Sequence, residues 1–337
     1  MIKKLLVLLL VAIGMAVSGY FYVEKQVNIY IYQPLSITEP EIITIESGSS
    51  FQAVLTKLES LGWVNSSSYS KLVRRFHPEL TNVKAGTFLI QPDMSLSDAV
   101  VFISKGKEHQ FTITFIEGSR FSEWRTTLAE AKSLKHEITE LSESDIATKL
   151  GIEQTKLEGL FLAETYHYTA GMSDLDILTR SHQNLNRVLD KAWGNRPKEI
   201  PLKTPYEALI LASIIEKETA VESERTKVAS VFVNRLNRRM RLQTDPTVIY
   251  GMGDKYTGNI RKKDLQTPTP YNTYTINGLP PTPIAMAGKA SIEAALNPDE
   301  TRYLYFVASG KGGHVFSKSL KEHNRAVQNY LKQLRKK

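Results

Sequence analysis

The stretch that decides the fold of this 337-residue chain runs from Thr204 to Leu236 and reads "TPYEALILASIIEKETAVESERTKVASVFVNRL". Thr204, Pro205 and Glu207 together predict a helix start, because Thr caps a first turn, proline fits its first position and Glu follows three residues after the cap. Apolar residues at helical spacing then predict that this helix packs into a core. Acidic residues inside such a helix need an explanation.

Helical geometry separates the two acids of "EKE", Glu216 and Glu218. At about 100° per residue, Leu211 and Ile214 define the apolar face and Glu218 projects from that same face, whereas Glu216 points roughly to the opposite side. A carboxyl group against apolar side chains loses hydration, which raises its pKa, as a general acid at neutral pH requires. The alternative is a structural role for Glu218 at the helix end, in water or paired with Arg225.

The continuation of the stretch predicts a second helix. The first helix is expected to break between Ala220 and Glu222, and Ser223 is a candidate cap for the next one. Val228 and Phe232 then recur at helical spacing and are expected to pack into the same core.

Composition limits what the chain can be. At this length we expect two folded units. A formal charge of +8 suits an acidic polymer as partner, although a solvated basic surface gives the same value. The absence of cysteine excludes disulfides, thiol nucleophiles and thiolate metal sites. The histidines show no metal-ligand spacing, so we expect no metal and no cofactor.

The amino terminus predicts a membrane-spanning helix. Residues 5–23, "LLVLLLVAIGMAVSGYFYV", carry no charge and are long enough to cross a hydrocarbon core of about 30 Å. Lys3 and Lys4 keep residues 1–4 in the cytoplasm by the positive-inside rule, so the rest of the chain lies outside. The alternative is a signal peptide cleaved near residues 16–18. Both alternatives export the chain, which argues against nucleic acid as a partner.

The exported part divides into a small module and a larger domain. After a linker over residues 24–40, "EIITIESGSSFQAVLTKLESLGWV" and "KAGTFLIQPDMSLSDAVVFISKGK" each show the order strand, serine-containing turn and helix. This order predicts a small α+β module over residues 41–107. A new strand and helix in "GKEHQFTITFIEGSRFSEW" then open a second domain, residues 108–337. The predicted fold class is therefore α+β, with one transmembrane helix, the small module and the larger domain.

Several long motifs carry a resemblance. Beyond the opening stretch, the chain contains "RLQTDPTVIYG", "YNTYTINGLPPTPI", "YLYFVASGKGGHVFS" and "EHN", with "KAGTF" and "FIEG" upstream. Together these closely resemble the membrane-anchored endolytic murein transglycosylases of bacteria, the MltG or YceG-like family. The resemblance implies an enzyme that cuts peptidoglycan glycan strands at internal sites and leaves a 1,6-anhydro-muramoyl end. It also implies that residues 41–107 bind peptidoglycan as a LysM-like module.

The resemblance assigns the catalytic acid to Glu218, which the helix geometry also selects. Its implied role is to protonate the leaving glycosidic oxygen and then, as a carboxylate, to deprotonate the muramoyl 6-hydroxyl that closes on the anomeric carbon. One carboxyl group can serve both steps because the nucleophile belongs to the substrate, whereas ordinary glycosidases need a second carboxylate.

The other motifs fit a substrate-binding wall. The "QTD" segment precedes a proline in a turn, which displays side chains, and "YNTY" supplies groups suited to sugar hydroxyls and faces. His314 follows glycines and is expected to orient the substrate or Glu218. The alternatives are a capped loop with core tyrosines and a surface histidine in a hairpin. The expected substrate-binding residues are Gln243, Thr244, Asp245, Tyr271, Asn272, Thr273, Tyr274 and His314.

Two positions depart from the family pattern. Glu164, in "EGLFLAETY", stands where the family has the aspartate of Pro-Asp-Thr, which leaves the role of that acid open. Thr282 replaces a usual glycine in "GLPPTPI" and should stiffen that loop.

Three functions remain open on the sequence. The first is a transglycosylase that trims or terminates glycan strands from the cytoplasmic membrane, with its catalytic domain in the periplasm. The second is a cell-wall scaffold protein without turnover. The third is a hydrolase that uses Glu218 with Asp245 or Glu164 as the second carboxyl group. Glycan strands of peptidoglycan are the expected partner, and peptidoglycan synthases are a further class of partner to test.

Overall fold

The computed structural model describes residues 1–335, which divide into two compact units with a boundary between Phe111 and Thr112. Helices predominate, and the strands of the described residues form three two-stranded sheets, each made of two strands that follow one another in chain order, which confirms the α+β class. The elements are α1 Ile2–Ile31, β1 Glu41–Ile45, α2 Phe51–Ser60, α3 Val73–Phe76, β2 Gly86–Ile90, α4 Leu96–Lys105, β3 Phe111–Thr114, α5 Phe121–Ala129, α6 Glu143–Leu150, β4 Thr165–Tyr168, α7 Asp174–Gly194, α8 Pro205–Glu218, α9 Arg225–Asn237, α10 Asp245–Met252, α11 Lys262–Gln266, α12 Lys289–Leu296, β5 Tyr305–Ala308, β6 His314–Ser317 and α13 Leu320–Leu334.

Helix α1 contains the predicted membrane span and continues beyond it. It has 30 residues and is long and apolar enough to cross a membrane. The first part of the predicted linker, residues 24–40, is helical, because α1 continues to Ile31. The reason is that Val27, Tyr30 and Ile31 recur at helical spacing and are buried in the core of the first unit.

The first unit is built around one antiparallel strand pair. β1 and β2 pair with Ile43 opposite Phe88, and both side chains are fully buried. Helices α2 and α4 bury apolar faces in the same core. Ser95 caps α4 by accepting a hydrogen bond from the Asp98 N–H at 3.2 Å, and Gly106 ends it in the left-handed conformation. These signals explain why two strand and helix pairs form one small α+β unit.

The second unit is arranged around α8. Every residue from 208 to 215 is buried, because helices α7, α9, α10 and α12 contact α8. The middle of α8 therefore has no exposed face. Glu218 differs from these buried residues because it is the last residue of α8, where loops replace the packed helices.

The start of α8 is as predicted, whereas the start of the following helix differs. Thr204 accepts a hydrogen bond from the Glu207 N–H at 3.2 Å, with Pro205 as the first helical residue. After α8 ends, a 3-10 turn over Glu222–Glu224 leads directly into α9. Ser223 lies inside that turn and makes no capping bond, so its prediction as a helix cap is wrong.

Candidate active site

Glu218 opens onto a cavity of about 380 Å³ at the end of α8. The carboxyl group is half-buried. The cavity wall is formed by α9, by the loop that leads into α10, by Tyr274, by β5 and by the start of α13. The polar lining residues are Glu218, Arg235, Gln243, Thr244, Asp245, Tyr274, Tyr305 and His323. A concave site with converging polar groups is the usual form of a binding site for a small part of a larger substrate.

Thr244 holds the Glu218 carboxyl group in place. Its hydroxyl donates a hydrogen bond to Glu218 Oε1. The Thr244 backbone is itself fixed, because its N–H donates to Thr273 Oγ1 at 3.0 Å and its carbonyl accepts from Thr247 Oγ1 at 2.8 Å. Both of these supporting threonines are fully buried. The carboxyl group is therefore oriented by a rigid polar network.

Burial raises the pKa of Glu218 above its ordinary value. The hydroxyl of Thr244 acts in the opposite direction, as does the charge of His314, whereas the negative charge of Asp245 raises the pKa further. The net shift is upward. A carboxyl group with a raised pKa retains its proton closer to neutral pH, which is what a general acid needs.

Asp245 and Tyr274 form the second polar pair of the cavity. Asp245 begins α10 and is exposed, and its Oδ1 accepts a hydrogen bond from the Tyr274 hydroxyl at 2.6 Å. Burial raises the pKa of Tyr274, and the hydrogen bond to Asp245 raises it further. Tyr274 therefore stays protonated and acts as a donor to Asp245 in the neutral pH range.

Arg235 fixes the chain just before this pair. It is buried on α9 and donates hydrogen bonds to the Leu242 carbonyl at 3.0 Å and to Gln243 Oε1 at 3.3 Å. The Gln243 backbone has a φ of +50°, a left-handed conformation that is uncommon for this residue type. Its N–H donates to the Thr273 carbonyl at 3.2 Å. The buried guanidinium thus supports a strained turn at the cavity wall.

His314 is held by a carboxylate that the sequence analysis does not identify. The Glu224 Oε2 atom lies 2.8 Å from His314 Nδ1, and the His314 N–H donates to Glu224 Oε1 at 2.9 Å. Burial alone would raise the pKa of Glu224, but the hydrogen bonds and the charge of His314 hold it below its ordinary value. The ring also lies edge-on to Phe306 at 5.2 Å. Within residues 1–335, His314 Nε2 has no hydrogen-bond partner.

The three other predicted residues of "YNTY" support the site instead of lining the Glu218 cavity. Asn272 and Thr273 are fully buried, and the Asn272 amide donates to three backbone carbonyls at 2.7 to 3.1 Å. The Tyr271 hydroxyl lies 2.9 Å from Thr282 Oγ1, and its ring packs 4.8 Å from that of Tyr250. Tyr271 thus has a hydrogen-bonding partner in Thr282 that a glycine at position 282 would not provide.

The other acids considered from the sequence lie away from the cavity lining. Glu216 Oε2 accepts a hydrogen bond from the Gly288 N–H at 2.9 Å. Glu164 is exposed and lies 3.4 Å from the Asn184 amide. In the part of the chain that the structure describes, Glu218 forms no ion pair with Arg225, and no group of three or more His, Cys, Asp and Glu side chains is arranged to hold a metal ion.

Comparison with known proteins places this chain in a family. The model of the YceG-like family matches residues 43–329. The chain belongs to the YceG-like family. An "Endolytic murein transglycosylase" of Bacillus subtilis (strain 168) is 32% identical over 306 residues, which are 86% of this chain and 84% of that protein.

Two further relatives of this YceG-like chain differ in length. An "Endolytic murein transglycosylase" of Streptococcus pneumoniae (strain ATCC BAA-255 / R6) is 25% identical over 94% of this chain, which spans only 63% of the pneumococcal protein. The crystal structure of a YceG-like protein from Listeria monocytogenes superimposes with a TM-score of 0.52 at 31% identity, over 85% of this chain and 98% of that one. The Listeria structure shares the fold, and the family match spans both units.

The functional residues that sequence reasoning missed are mainly the supporting ones. Arg235 and Glu224 lie on or just before α9, within the opening stretch, but their partners come from loops far along the chain. An arginine inside the apolar run of α9 is a usable signal, because a buried cation needs partners. For Glu224 the only local signal is its place in a cluster of acids, which does not separate it from Glu222.

Proposed function

We propose that this chain is a lytic transglycosylase that cuts peptidoglycan glycan strands, with Glu218 as general acid and then general base. The observation that carries the proposal is the half-buried Glu218 carboxyl group, which has a raised pKa and is oriented by Thr244 inside a polar cavity. The relatives that are named endolytic murein transglycosylases supply the reaction class.

The proposed reaction begins with the protonated Glu218. Its proton passes to the glycosidic oxygen between the muramoyl C1 and the neighbouring N-acetylglucosamine, and the C1–O bond breaks. The muramoyl 6-hydroxyl oxygen then bonds to C1, and its proton passes to the Glu218 carboxylate. The products are a free 4-hydroxyl on the leaving strand and a 1,6-anhydro end. The enzyme returns to its starting protonation state, and no water is consumed.

The neighbouring residues have distinct proposed roles. His314, with Nδ1 against Glu224, offers Nε2 to the substrate near the acid. Asp245 raises the pKa of Glu218 and thereby keeps it protonated for the first step. Gln243 and Tyr274 line the cavity and contact the sugar, whereas Asn272, Thr273 and Tyr271 act by holding the loops that form the wall.

A hydrolase is the second candidate, because one further carboxylate lines the cavity. Asp245 shares the wall with Glu218, so it is available as a base that activates water. Glu164 does not line this cavity and is not a candidate for that role. The two mechanisms differ for Asp245→Asn. A hydrolase would lose its base and therefore its activity. A transglycosylase would retain turnover. Removing the charge of Asp245 lowers the pKa of Glu218, so the pH above which the transglycosylase loses activity would become lower.

The product decides between the functions. Purified sacculi are digested in water enriched in oxygen-18, and the new muramoyl ends are identified by mass spectrometry. A transglycosylase gives unlabelled anhydro ends. Reducing ends that carry oxygen-18 would indicate hydrolysis, and no new ends would indicate a scaffold protein. The Glu218→Gln variant is the control for activity from contaminating enzymes.

We also propose where the enzyme works. α1 serves as a single membrane anchor, with the enzyme's second unit on the periplasmic side and the module of residues 41–107 binding peptidoglycan. Fractionated cells should contain the full-length protein in the cytoplasmic membrane, released by detergent and not by salt. A soluble product that starts near residue 19 would instead indicate a cleaved signal peptide. Peptidoglycan synthases are proposed partners, to be tested by cross-linking in cells.

A further inference from the structure

A second cavity of about 380 Å³ lies beside the active site, along α10, the helix that Asp245 begins. The C-terminal half of α10, the loop after it and α11 enclose it. We define the basic cavity by the residues Lys255, Thr257, Asn259, Arg261, Lys263 and Thr269. None of these residues has a role in the proposed reaction.

The basic cavity is built for an anion. Lys255, Arg261 and Lys263 direct three cationic side chains to its wall, and within residues 1–335 none of them is in an ion pair. The one acid of the wall is Asp264, whose Oδ2 already accepts a hydrogen bond from the Arg261 N–H at 2.8 Å. Three unpaired cations against one occupied carboxylate leave the cavity with a net positive charge.

The wall also has a hydrogen-bonding group without a partner. Thr269 Oγ1 is buried and, among the described residues, has no hydrogen-bond partner. Buried polar atoms are usually paired, so an unpaired one at a cavity wall favours a polar ligand. Gly251 on α10 keeps this region open, because a Cβ there would lie 2.9 Å from Thr269 Oγ1.

The cavity is preorganised rather than a gap between loose loops. Asn272 lines it while being fully buried, and its amide holds the carbonyls of Asp264, Leu265 and Thr267 at 3.1, 3.1 and 2.7 Å. These three bonds fix the end of α11 and the loop that follows it. A fixed wall lowers the conformational entropy that the protein loses when a ligand binds.

Its position relates the basic cavity to the substrate of Glu218. Asp245 begins α10 at the active-site cavity, and Met252 ends the same eight-residue helix at the basic cavity. At about 1.5 Å per residue the two cavities are roughly 10 Å apart. A polymer that lies along α10 with its reacting bond at Glu218 therefore also passes the basic cavity.

We infer that the basic cavity is a subsite for the free carboxylates of the peptides carried by the glycan strand. This inference rests on the proposed function. The sugars of such a strand are neutral amides and alcohols, and the lactyl carboxyl group is consumed in the peptide linkage. The peptides are therefore the part of the strand that brings carboxylates, which arginine and lysine bind by charge-assisted hydrogen bonds. The subsite makes the enzyme selective for strands whose peptides carry free carboxylates.

The test compares two substrates and two variants. Glycan strands with intact peptides, and the same strands after the free carboxylates of their peptides have been converted to neutral amides (amidated strands), are cut by wild type, by the double variant Arg261→Gln/Lys263→Gln and by Lys262→Gln. Lys262 is the matched control, since it lies between the two altered residues and does not line the cavity. The ratio of kcat/KM for intact over amidated strands should fall about tenfold in the double variant and should not change in the control.

Added salt should lower the wild-type ratio and leave the low ratio of the double variant unchanged, because the selectivity is electrostatic. An unchanged ratio in the double variant, with a thermal unfolding midpoint like that of wild type, overturns the subsite. A wild-type ratio near one overturns it as well.

Binding separates this inference from the proposed function. In the Glu218→Gln background, co-sedimentation measures the affinity for intact and amidated strands without any cutting. If wild type produces no anhydro ends but the binding preference exists and is lost in the double variant, the proposed function fails and the subsite stands. If cutting occurs and no binding preference exists, the subsite fails and the proposed function stands.

Discussion

At the scale of single residues, Glu218 and Glu216 are a matched pair of acids two positions apart on α8. Glu218→Gln should abolish cutting while the fold is retained, because the amide is nearly isosteric and still accepts the Thr244 hydrogen bond but cannot deliver a proton. Glu216→Gln should retain most activity, since its amide oxygen can still accept the Gly288 N–H. Initial rates of anhydro-end formation measure both variants. An inactive Glu216 variant beside an active Glu218 variant would refute the assignment of the acid.

Glu224 is the residue whose role comes from the structure alone. We expect Glu224→Gln to lower kcat roughly tenfold, because the His314 ring loses a hydrogen bond to a charged group, and to change KM little. As a positioning residue it should also change the pH profile of kcat, which a merely structural residue would not do. Glu222→Gln is the control, because Glu222 is an exposed acid in the same 3-10 turn. Equal effects of the two substitutions would contradict this role.

The position of Glu218 could be predicted from the sequence because its signal is local. Glu218 ends an apolar helix with clear start signals, so residue spacing predicts where it lies along the helix and on which side. The supporting residues could not be predicted, because the folding of loops and strands brings their partners to them, and helical spacing does not. Asn272 illustrates the difference. Its residue type suggested sugar binding, whereas its amide is occupied by three backbone carbonyls of the preceding loop.

At the scale of elements, hydrophobic periodicity found the helices but not their surroundings. The residues of α8 from 208 to 215 are buried on every side, so an argument from one apolar face selected Glu218, which lines the cavity, for an incomplete reason. Glu218 is special mainly because α8 ends there, beside the loop that carries Thr244. The 3-10 turn over Glu222–Glu224 was not predicted either, because short turns between helices depend on tertiary contacts more than on capping residues.

Glu158 links two elements and supplies a prediction about stability. Its Oε1 accepts the N–H of Phe121 at the start of α5 at 3.0 Å, and the hydroxyl of Tyr250 on α10 also bonds to it. The carboxyl group is buried, and burial raises its pKa from 4.5 to about 7. The proton on Glu158 therefore stabilises the folded state.

The sign and size of this effect follow from linkage. The stabilisation is fully present below pH 4.5 and is lost as pH rises through about 7. The free energy of unfolding of the second unit should fall by about 3 kcal/mol over that interval. Glu158→Gln should remove this component, so the variant should exceed wild type in stability above neutral pH. Urea unfolding at a series of pH values tests it, and parallel pH dependence in both proteins would contradict it.

At the scale of the whole molecule, length and composition predicted an exported chain of two units. The apolar run at the amino terminus, the change of pattern near Lys107 and the ordered motifs after it are all visible in the sequence. The boundary of the compact units falls between Phe111 and Thr112, a few residues beyond the expected start of the second domain. The continuation of α1 into the first unit was not predicted, because its buried positions have meaning only once the core that receives them is known.

The last prediction concerns the division of labour between the two units. Glu218 and His314, which are proposed to act on the sugar, lie in the second unit, whereas residues 41–107 are proposed to bind glycan strands. Deletion of this module should weaken binding to insoluble peptidoglycan and slow the cutting of long strands, because remote contacts hold the substrate in register. His314→Ala should instead lower turnover more than binding. Pull-down with sacculi and initial rates of anhydro-end formation measure both effects. If deletion changes neither binding nor rate, the module is a spacer between the membrane and the active site.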